Sequence, residues 1–404
     1  MRFTSAAFAL AALAIPRLSQ AQGSSAESSV VIHAGTVLDG RGGSVRNAYV
    51  VVRNGKIERV STAAVGVPGA TTIELGSATL LPGLIDAHVH PGWYVDRQGK
   101  RNSQRSGDTP AQAALARAGN LYATLMAGVT TIQSVGGAED VDLRDATARN
   151  VIPGPRILTS ITQLSAPRLT TDSLRVLVRQ LKVQGADVIK LFASAGLGSG
   201  GAQTMSDEQL AAICGEATAQ GLRSVVHAIS AGSVRAATLA GCTQIEHGTF
   251  ATDAELRLMA ERGTIFDPQV CLVFQNYVDH PDAYSFTDSS LAPLEAALPT
   301  AAAMFTRALK TPGLKLVFGT DAVALAHGRN VEELLCRVKA GQSPMDAIIS
   351  ATSASAAALG LASSLGVVAA GYDADLIAVT GDPSRDIGAL QKVVFVMRAG
   401  RRYR

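Results

Sequence analysis

The middle of the chain, from about residue 81 to residue 368, alternates short apolar segments with helical segments, and this alternation constrains the fold more than any other feature. Helical patterns at 109–126, 206–219 and 330–340 follow such segments, and Ser206 with Gln209 resembles a capping box. Eight apolar segments have the length and composition of buried strands, and they begin near Leu84, Val129, Arg156, Ala186, Arg223, Thr243, Thr264 and Lys315. Eight successive strand–helix units predict an α/β protein with a (β/α)8 TIM barrel, in which residues at the C-terminal strand ends carry the chemistry.

Both ends of the chain predict additional β-structure. Apolar segments at 30–34 and 48–52 precede an Asn-Gly turn at 54–55, and similar segments at 375–379 and 393–397 occur near the other end. Segments this short are not stable as isolated sheets, so we predict that they pair into one small β-sandwich domain. The predicted organisation is a signal peptide at 1–21, the N-terminal part of the sandwich at 22–81, the (β/α)8 barrel at 82–367 and the C-terminal part of the sandwich at 368–404.

Length and composition agree with a barrel and a smaller companion domain. The chain has 404 residues, of which 47% are hydrophobic and 17% are charged, so it can bury a large core and is not of the disordered class. Lysine and arginine number 36 against 33 aspartates and glutamates, and no long basic run occurs. This charge balance argues against nucleic acid as a partner.

The first residues have the pattern of an export signal. Met1-Arg2 supplies a positive charge, residues 6–15 are apolar but too few to span a bilayer, and Ser19-Gln20-Ala21 resembles a cleavage site. We therefore expect a periplasmic or secreted protein without a membrane segment in its mature form. Four cysteines, at 214, 242, 271 and 336, are too few for a disulfide scaffold. We expect buried free thiols, although export leaves pairing between them open.

Histidines and other ligand-type residues occur near the ends of several predicted strands. His88 and His90 are two residues apart on the first strand, so their side chains point to the same side. Lys190 interrupts an apolar strand, where a charged group is costly unless it is paired or chemically altered. Strands five, six and eight end near His227, His247 and Asp321. Each residue alone also fits a structural role, such as a core histidine, a lysine reaching solvent or a helix cap, but together they suit a divalent metal.

These motifs resemble the amidohydrolase superfamily, in particular its imidazolonepropionase-like and Xaa-Pro dipeptidase-like hydrolases, which include ochratoxin-hydrolysing amidohydrolases. The resemblance covers nearly the whole chain after the export signal. It rests on Pro-Gly-Leu-Ile-Asp-Ala-His-Val-His at 82–90, Gly-Val-Thr-Thr at 128–131, the Lys190 strand, Ile-Glu-His-Gly at 245–248, Gly-Thr-Asp at 319–321 and Gly-Tyr-Asp-Ala-Asp-Leu at 371–376.

The resemblance implies a centre of two divalent metal ions, with zinc as the expected metal. His88, His90 and Asp321 would hold one ion, His227 and His247 would hold the other, and a carbamylated Lys190 would bridge them. A hydroxide between the metals would attack the substrate. Asp321 would be the catalytic residue that accepts the proton of the hydroxide and returns it to the leaving group.

The resemblance also implies a small-molecule substrate, with a homo-oligomer left open. We expect cleavage of an amide bond in a dipeptide or an N-acyl amino acid, as in carboxypeptidases and prolidases, with ochratoxin-type aromatic amides as a further substrate type. A substrate carboxylate requires a cation, and the loops after strands one and eight offer Arg97, Lys100, Arg101, Arg105 and Arg329. The predicted substrate-binding residues are Trp93, Tyr94, Arg97, His327 and Arg329.

One departure from the family pattern affects specificity. Relatives carry an Arg-Asp pair after the Gly-Val-Thr-Thr strand, whereas this chain has Gln133-Ser134. Alternative functions therefore stay open: hydrolysis of a cyclic amide or imidazolone, a lactonase-like or phosphotriesterase-like activity, and a non-catalytic metal or ligand binder.

Overall fold

The computed structural model describes residues 29–103, 105–165 and 168–404, so the predicted signal peptide lies outside the described residues. The first part of the chain forms five strands. They are β1 (Ser29–Leu38), β2 (Ser44–Arg53), β3 (Lys56–Ser61), β4 (Thr71–Glu74) and β5 (Thr79–Pro82). The predicted Asn-Gly turn joins β2 to β3, and both Asn54 and Gly55 have positive φ angles, 52° and 78°, as such tight hairpins require.

Parallel strands form the barrel in the middle of the chain. They are β6 (Leu84–Val89), β7 (Val129–Ser134), β8 (Arg156–Thr159), β9 (Gln163–Leu164), β10 (Val188–Phe192), β11 (Arg223–Ser230), β12 (Gln244–Phe250), β13 (Ile265–Asp267) and β14 (Lys315–Leu316). Backbone hydrogen bonds close the ring, because Asp321 N donates to His88 O at 2.7 Å and Asp187 N donates to Thr159 O at 2.8 Å. The predicted TIM barrel is thus confirmed, and each predicted strand begins within two residues of its observed start.

In residues 29–404, apart from the positions that the structure does not describe, twelve α-helices connect and cover these strands. They are α1 (Pro110–Met126), α2 (Asp140–Ala148), α3 (Thr171–Val183), α4 (Asp207–Ala219), α5 (Ala231–Leu239), α6 (Asp253–Arg262), α7 (Leu272–Asp279), α8 (Pro281–Tyr284), α9 (Asp288–Leu309), α10 (Val331–Lys339), α11 (Pro344–Ile349) and α12 (Ser355–Ala358). Ser206 and Gln209 form the predicted capping box at the start of α4. In the described part of the chain, no helix is long and apolar enough to cross a membrane.

The last strands return to the beginning of the chain. They are β15 (Leu376–Val379), β16 (Val393–Arg398) and β17 (Arg401–Arg402). β15 pairs antiparallel with β5, which gives one eight-stranded sheet in the order β17-β16-β15-β5-β1-β2-β3, with β4 paired to β1. Strands from both chain ends therefore share a sheet. The sandwich form of that domain and its predicted boundaries stay predictions.

The expectation of free thiols is wrong. Cys214 of α4 is bonded to Cys242, and Cys271 is bonded to Cys336 of α10, with Cα–Cα distances of 5.0 Å and 6.2 Å. The paired residues are 28 and 65 positions apart in sequence, so no short motif announces them. Packing of neighbouring strand–helix units brings each pair together. Cys214 and Cys242 lie in the same buried aliphatic cluster of the barrel.

Candidate metal centre

Four histidine rings meet at the C-terminal mouth of the barrel. The ring centroids of His88 and His90 are 5.3 Å apart, as are those of His88 and His247. The rings of His227 and His247 are 4.6 Å apart. These residues come from three strands, β6 with its following residue, β11 and β12. The parallel strands all end at the same side of the barrel, which is why residues far apart in sequence converge here.

Asp321 joins this cluster from the segment after β14. Its Oδ1 lies 3.0 Å from Nε2 of His90 and 3.4 Å from Nε2 of His88. One ligand atom from each of His88, His247 and Asp321 lies within 4.8 Å of the other two. His247 and Asp321 have left-handed backbone conformations, with φ of 66° and 52°, which are uncommon for residues with side chains and concentrate at functional sites.

Lys190 completes the set of six predicted ligands. It lies in the middle of β10, only 1% exposed, and its Nζ has no hydrogen-bond partner among the residues that the structure describes. Phe192, two residues further along β10, contacts the ring of His227 at 4.6 Å, and the Nζ lies 5.5 Å from the Phe192 ring. A buried amine without a partner is costly and calls for another chemical group at this position.

Burial favours the neutral form of three of these imidazoles, those of His88, His227 and His247. Burial, followed by the nearby charge of Lys190, lowers the pKa of His227 to about 4. Burial also holds the pKa values of His88 and His247 well below their usual range. Neutral imidazole presents the free lone pair that a metal ion needs. For Asp321, burial opposes ionisation, but His88 and His90 outweigh it and lower the pKa to about 2, so the carboxylate is ionised.

A carboxylate fixes the orientation of His88. Glu246 Oε2 lies 2.5 Å from Nδ1 of His88, and Gln244 donates to the other oxygen of Glu246 at 2.7 Å. The Nδ1 hydrogen therefore points to Glu246, and the lone pair of Nε2 points towards Asp321. We did not predict Glu246 as a site residue, although it precedes His247 within the motif at 245–248.

Aromatic side chains border one side of the cluster. The predicted substrate residue Trp93 stacks on His90, with centroids 5.1 Å apart. Tyr277 of α7 is a second aromatic residue that packs against the same apolar cluster as Trp93, and we did not predict it as a site residue because no motif marks it. Burial and then the charge of Asp321 raise the pKa of Tyr277 well above its usual range, so its phenol stays protonated beside the cluster.

Two other predicted substrate residues have partners within their own loop. The guanidinium carbon of Arg117 lies 5.5 Å from the centroid of the Tyr94 ring, and the phenol of Tyr94 hydrogen-bonds to Asp108. Arg97 is exposed and forms an ion pair with the same Asp108 at 3.3 Å. The structure does not bring Tyr94 or Arg97 into the histidine cluster.

His327 and Arg329, after β14, also have defined contacts. Nε2 of His327 lies 3.2 Å from the carbonyl oxygen of Trp93, so this histidine supports the backbone of Trp93. Arg329 donates two hydrogen bonds to Glu332, at 2.7 Å and 2.9 Å, which compensate its charge. Arg329 is therefore not an unpaired cation for a substrate.

The departure at Gln133-Ser134 fills buried positions on β7. Gln133 donates to Ala87 O at 2.8 Å and accepts from Arg223 at 2.6 Å. Ser134 donates to Asp140 at 2.6 Å. Both side chains thus connect neighbouring barrel strands and helices behind the cluster.

The chain is similar to known proteins over most of its length. Residues 79–403 match the amidohydrolase family. Ochratoxinase of Aspergillus niger is 26% identical over 93% of this chain and 86% of that protein. Imidazolonepropionase of Deinococcus deserti is 25% identical over 84% of this chain and 87% of that protein. A crystal structure of a Xaa-Pro dipeptidase with methionine bound in its active site has a TM-score of 0.84 and 28% identity, covering 93% of this chain and all of that chain. The chain therefore belongs to the amidohydrolase family and is a hydrolase that acts on carbon–nitrogen bonds.

Proposed function

We propose that the protein is a metal-dependent amidohydrolase that cleaves the amide bond of a dipeptide or an N-acyl amino acid. The observation that carries the proposal is the cluster itself: four histidines, one ionised aspartate and one buried lysine at the mouth of the barrel. Such a set of nitrogen and oxygen donors suits zinc and similar divalent ions.

The residues present fit a metal pair. Two buried nitrogen atoms of the cluster, Lys190 Nζ and His90 Nδ1, lack a hydrogen-bond partner in the described parts of the chain. We assign His88, His90 and Asp321 to one ion, because the two histidine nitrogens approach the same carboxylate oxygen. We assign the neighbouring pair His227 and His247 to the second ion.

We propose that Lys190 carries a carbamate between these two groups of ligands. Burial lowers the pKa of Lys190, which favours the neutral amine. The amine lone pair can attack the carbon of CO₂: an N–C bond forms, the electron pair of one C=O bond moves to oxygen, and the nitrogen loses a proton to solvent. The product would be an oxygen anion at the end of the side chain, whose burial the metal ions would compensate.

When bound, the metal ions would supply the positive charge that acidifies water and polarises the scissile carbonyl. The protein's own contribution to proton transfer is Asp321. Its carboxylate is ionised and 16% exposed at the mouth, so it can accept a proton from the attacking water and return it to the leaving amine. Glu246 keeps His88 in the tautomer that faces Asp321.

The substrate class rests on the relatives. The Xaa-Pro dipeptidase structure contains a bound amino acid, methionine, and ochratoxinase is a relative over most of the chain. Both favour an amide whose leaving group is an amino acid. Aromatic amides of the ochratoxin type are a second candidate, which the aromatic border formed by Trp93 and Tyr277 favours.

The test combines metal analysis with hydrolysis. The protein would be purified with zinc and bicarbonate, and its metal content would be compared with its activity on Xaa-Pro dipeptides, N-acyl amino acids, a cyclic amide and a lactone. We expect close to two metal ions per chain and release of an amino acid. A protein with less than one ion per chain and no amide cleavage would overturn the proposal. Preferential cleavage of the cyclic amide or the lactone would replace the substrate class.

We also propose that the protein is exported to the periplasm or secreted. The two disulfides support this location, because disulfides persist in oxidising compartments. Fractionation of cells that express the whole chain should recover a shortened, oxidised protein outside the cytoplasm. A full-length reduced protein in the cytoplasm would contradict the proposal.

A further inference from the structure

We propose that Arg101 binds the carboxylate of the substrate and thereby selects amides of amino acids with a free carboxylate. This inference rests on the amide hydrolysis proposed above and adds the residue that determines specificity.

Arg101 is connected to the predicted metal ligand His90 through the ring of Trp93. Its guanidinium carbon lies 4.5 Å from the centroid of the Trp93 ring. The same indole stacks on His90 at 5.1 Å, with the ring planes 26° apart. Two successive stacking contacts thus join the guanidinium to a predicted metal ligand. In the proposed binding mode, the amide carbonyl of the substrate lies at the histidines, and its carboxylate, a few bonds away, lies on the side of this arginine.

The stacking leaves the binding edge of Arg101 free. A guanidinium that lies over an indole uses its flat face, whereas its N–H groups point outwards in the plane. Among the residues that the structure describes, no carboxylate forms an ion pair with Arg101. The N–H fork therefore suits a carboxylate, which guanidinium groups bind through two parallel hydrogen bonds.

The other cations near the mouth are already occupied or turned outwards. Arg97 pairs with Asp108 and Arg329 pairs with Glu332. Lys100 donates its Nζ hydrogen to the carbonyl oxygen of Asp282, and Arg105 is exposed. Of the five cations that the sequence offered, Arg101 combines contact with the aromatic border and an unpaired charge.

The loop that carries Arg101 is held in place from both sides. The backbone N of Arg101 donates to Ala283 O at 2.7 Å, and the next residue, Asn102, donates from its backbone to Tyr94 O and from its side chain to Gly92 O. These bonds fix the loop against α8 and against the segment after β6. A fixed loop lowers the ordering cost of binding, which favours a specificity residue.

The backbone of Trp93, whose indole lies under Arg101, is fixed as well. Trp93 O accepts from Asn120 Nδ2 at 3.0 Å and lies 3.2 Å from His327 Nε2. Arg101 also lines a surface cleft of about 540 Å³ between its loop and α8, so a ligand can reach it from solvent. Burial raises the pKa values of the phenols of Tyr277 and Tyr284, the charge of Asp321 raises both further, and the charge of Arg101 lowers both. Arg101 is thus accessible and electrostatically close to the cluster.

The kinetic test compares matched substrates. Each N-acetyl amino acid and Xaa-Pro dipeptide of the panel would be assayed beside the analogue in which CH₂OH replaces the carboxylate. For Arg101→Gln we expect kcat/KM to fall about 10- to 100-fold on the carboxylate substrates, mainly through KM, and within about twofold on the alcohols. Arg101→Lys should lose less because it keeps the charge but not the fork. Arg105→Gln removes a charge from the same loop and should leave the carboxylate-to-alcohol ratio unchanged.

The outcomes separate the two proposals. If the wild-type protein hydrolyses amides and Arg101→Gln loses kcat/KM equally on carboxylates and alcohols, the role of Arg101 is overturned. The proposed function stays intact in that case. Failure of the wild-type protein to cleave any amide would overturn the proposed function, and the role of Arg101 with it. The Arg105→Gln variant could also lower the carboxylate-to-alcohol ratio of kcat/KM as much as Arg101→Gln does. Selection would then come from the overall charge of the loop, and the specific contact with Arg101 would be overturned.

A second readout does not depend on turnover. Trp93 is the only tryptophan of the chain, so its fluorescence reports directly on the ring under Arg101. The titration uses proteins that carry Asp321→Asn, in which hydrolysis is blocked. N-Acetyl-L-methionine should change the Trp93 emission of the protein that keeps Arg101. It should not change the emission of the protein that also carries Arg101→Gln. N-Acetyl-L-methioninol should give no comparable change. Equal responses to the acid and the alcohol, or equal responses of both proteins, would contradict the inference.

Discussion

The carboxylate of Glu246 lies 2.5 Å from Nδ1 of His88, and both side chains are fully buried. The two residues come from opposite parts of the barrel and are 158 positions apart in sequence. A carboxylate in this position fixes the tautomer and the direction of the imidazole, so the free nitrogen faces Asp321. The metal centre therefore depends on a residue that is not itself in the predicted ligand set.

Glu246→Gln should weaken metal binding about 10- to 100-fold, because an amide oxygen holds the Nδ1 hydrogen of His88 less strongly than a carboxylate oxygen does. The measurement is a competition titration of the metal-free protein with zinc and a chromophoric chelator. Glu216→Gln is the matched control, since Glu216 of α4 pairs with Arg179 of α3 at 3.1 Å, outside the histidine cluster. Equal zinc affinity of the Glu246 variant and the wild-type protein would contradict the role of Glu246.

Asp321→Asn should reduce turnover about 100- to 10,000-fold while the protein stays folded, because an amide cannot accept the proton of the attacking water. The measurement is kcat on the best amide substrate, with metal content determined on the same sample. A variant that keeps its metal and loses its turnover supports proton transfer by Asp321. Normal turnover would remove Asp321 from this role.

Reduction of the two disulfides should lower the free energy of unfolding by several kcal/mol. They close segments of 28 and 65 residues, and each cross-link of this length restricts the unfolded chain by about 3 to 4 kcal/mol. Guanidinium unfolding with and without dithiothreitol would measure the loss. The variant with alanine at all four cysteines is the control and should be insensitive to the reductant. An equal midpoint for the oxidised and reduced wild-type protein would contradict this prediction.

Asp140→Asn should make stability less dependent on pH. Burial raises the pKa of Asp140 from the ordinary 3.8 to about 6, so between these values the folded protein holds a proton that the unfolded chain has lost. This group therefore reduces stability as pH rises through that window, by about 2 to 3 kcal/mol. Its Oδ2 accepts from Ser134 and Thr159, while Oδ1 has no partner in the described residues, so an amide nitrogen fits at Oδ1.

The comparison for this variant is urea unfolding near pH 4 and near pH 8. We expect Asp140→Asn to match the wild-type protein at the lower pH and to be the more stable protein at the higher pH. Asp172→Asn, at an exposed position on α3, should follow the wild-type protein at both values. A stability difference that is the same at both pH values would show that the carboxyl of Asp140 does not titrate in this window.

Features that depend only on residues close together in sequence, such as strands, helix starts and shared strand faces, were predictable without the structure. Alternation of apolar and helical segments identified the eight barrel strands, and the capping box at Ser206 identified the start of α4. Spacing of two residues on a strand placed His88 and His90 on one face. These features follow from local periodicity and local hydrogen bonding, which a single stretch of chain expresses without the rest of the fold.

Contacts between side chains that are far apart in sequence depend on the tertiary structure. Four cysteines without a short motif became two disulfides because successive strand–helix units pack side by side. Glu246 is the partner of His88 because the barrel closes where the segment after β14 meets β6. The five cations near the mouth looked equivalent in sequence, yet ion pairs occupy Arg97 and Arg329, and stacking on Trp93 leaves Arg101 available. Pairing and burial of charges depend on residues from several loops, so the sequence of one loop does not contain them.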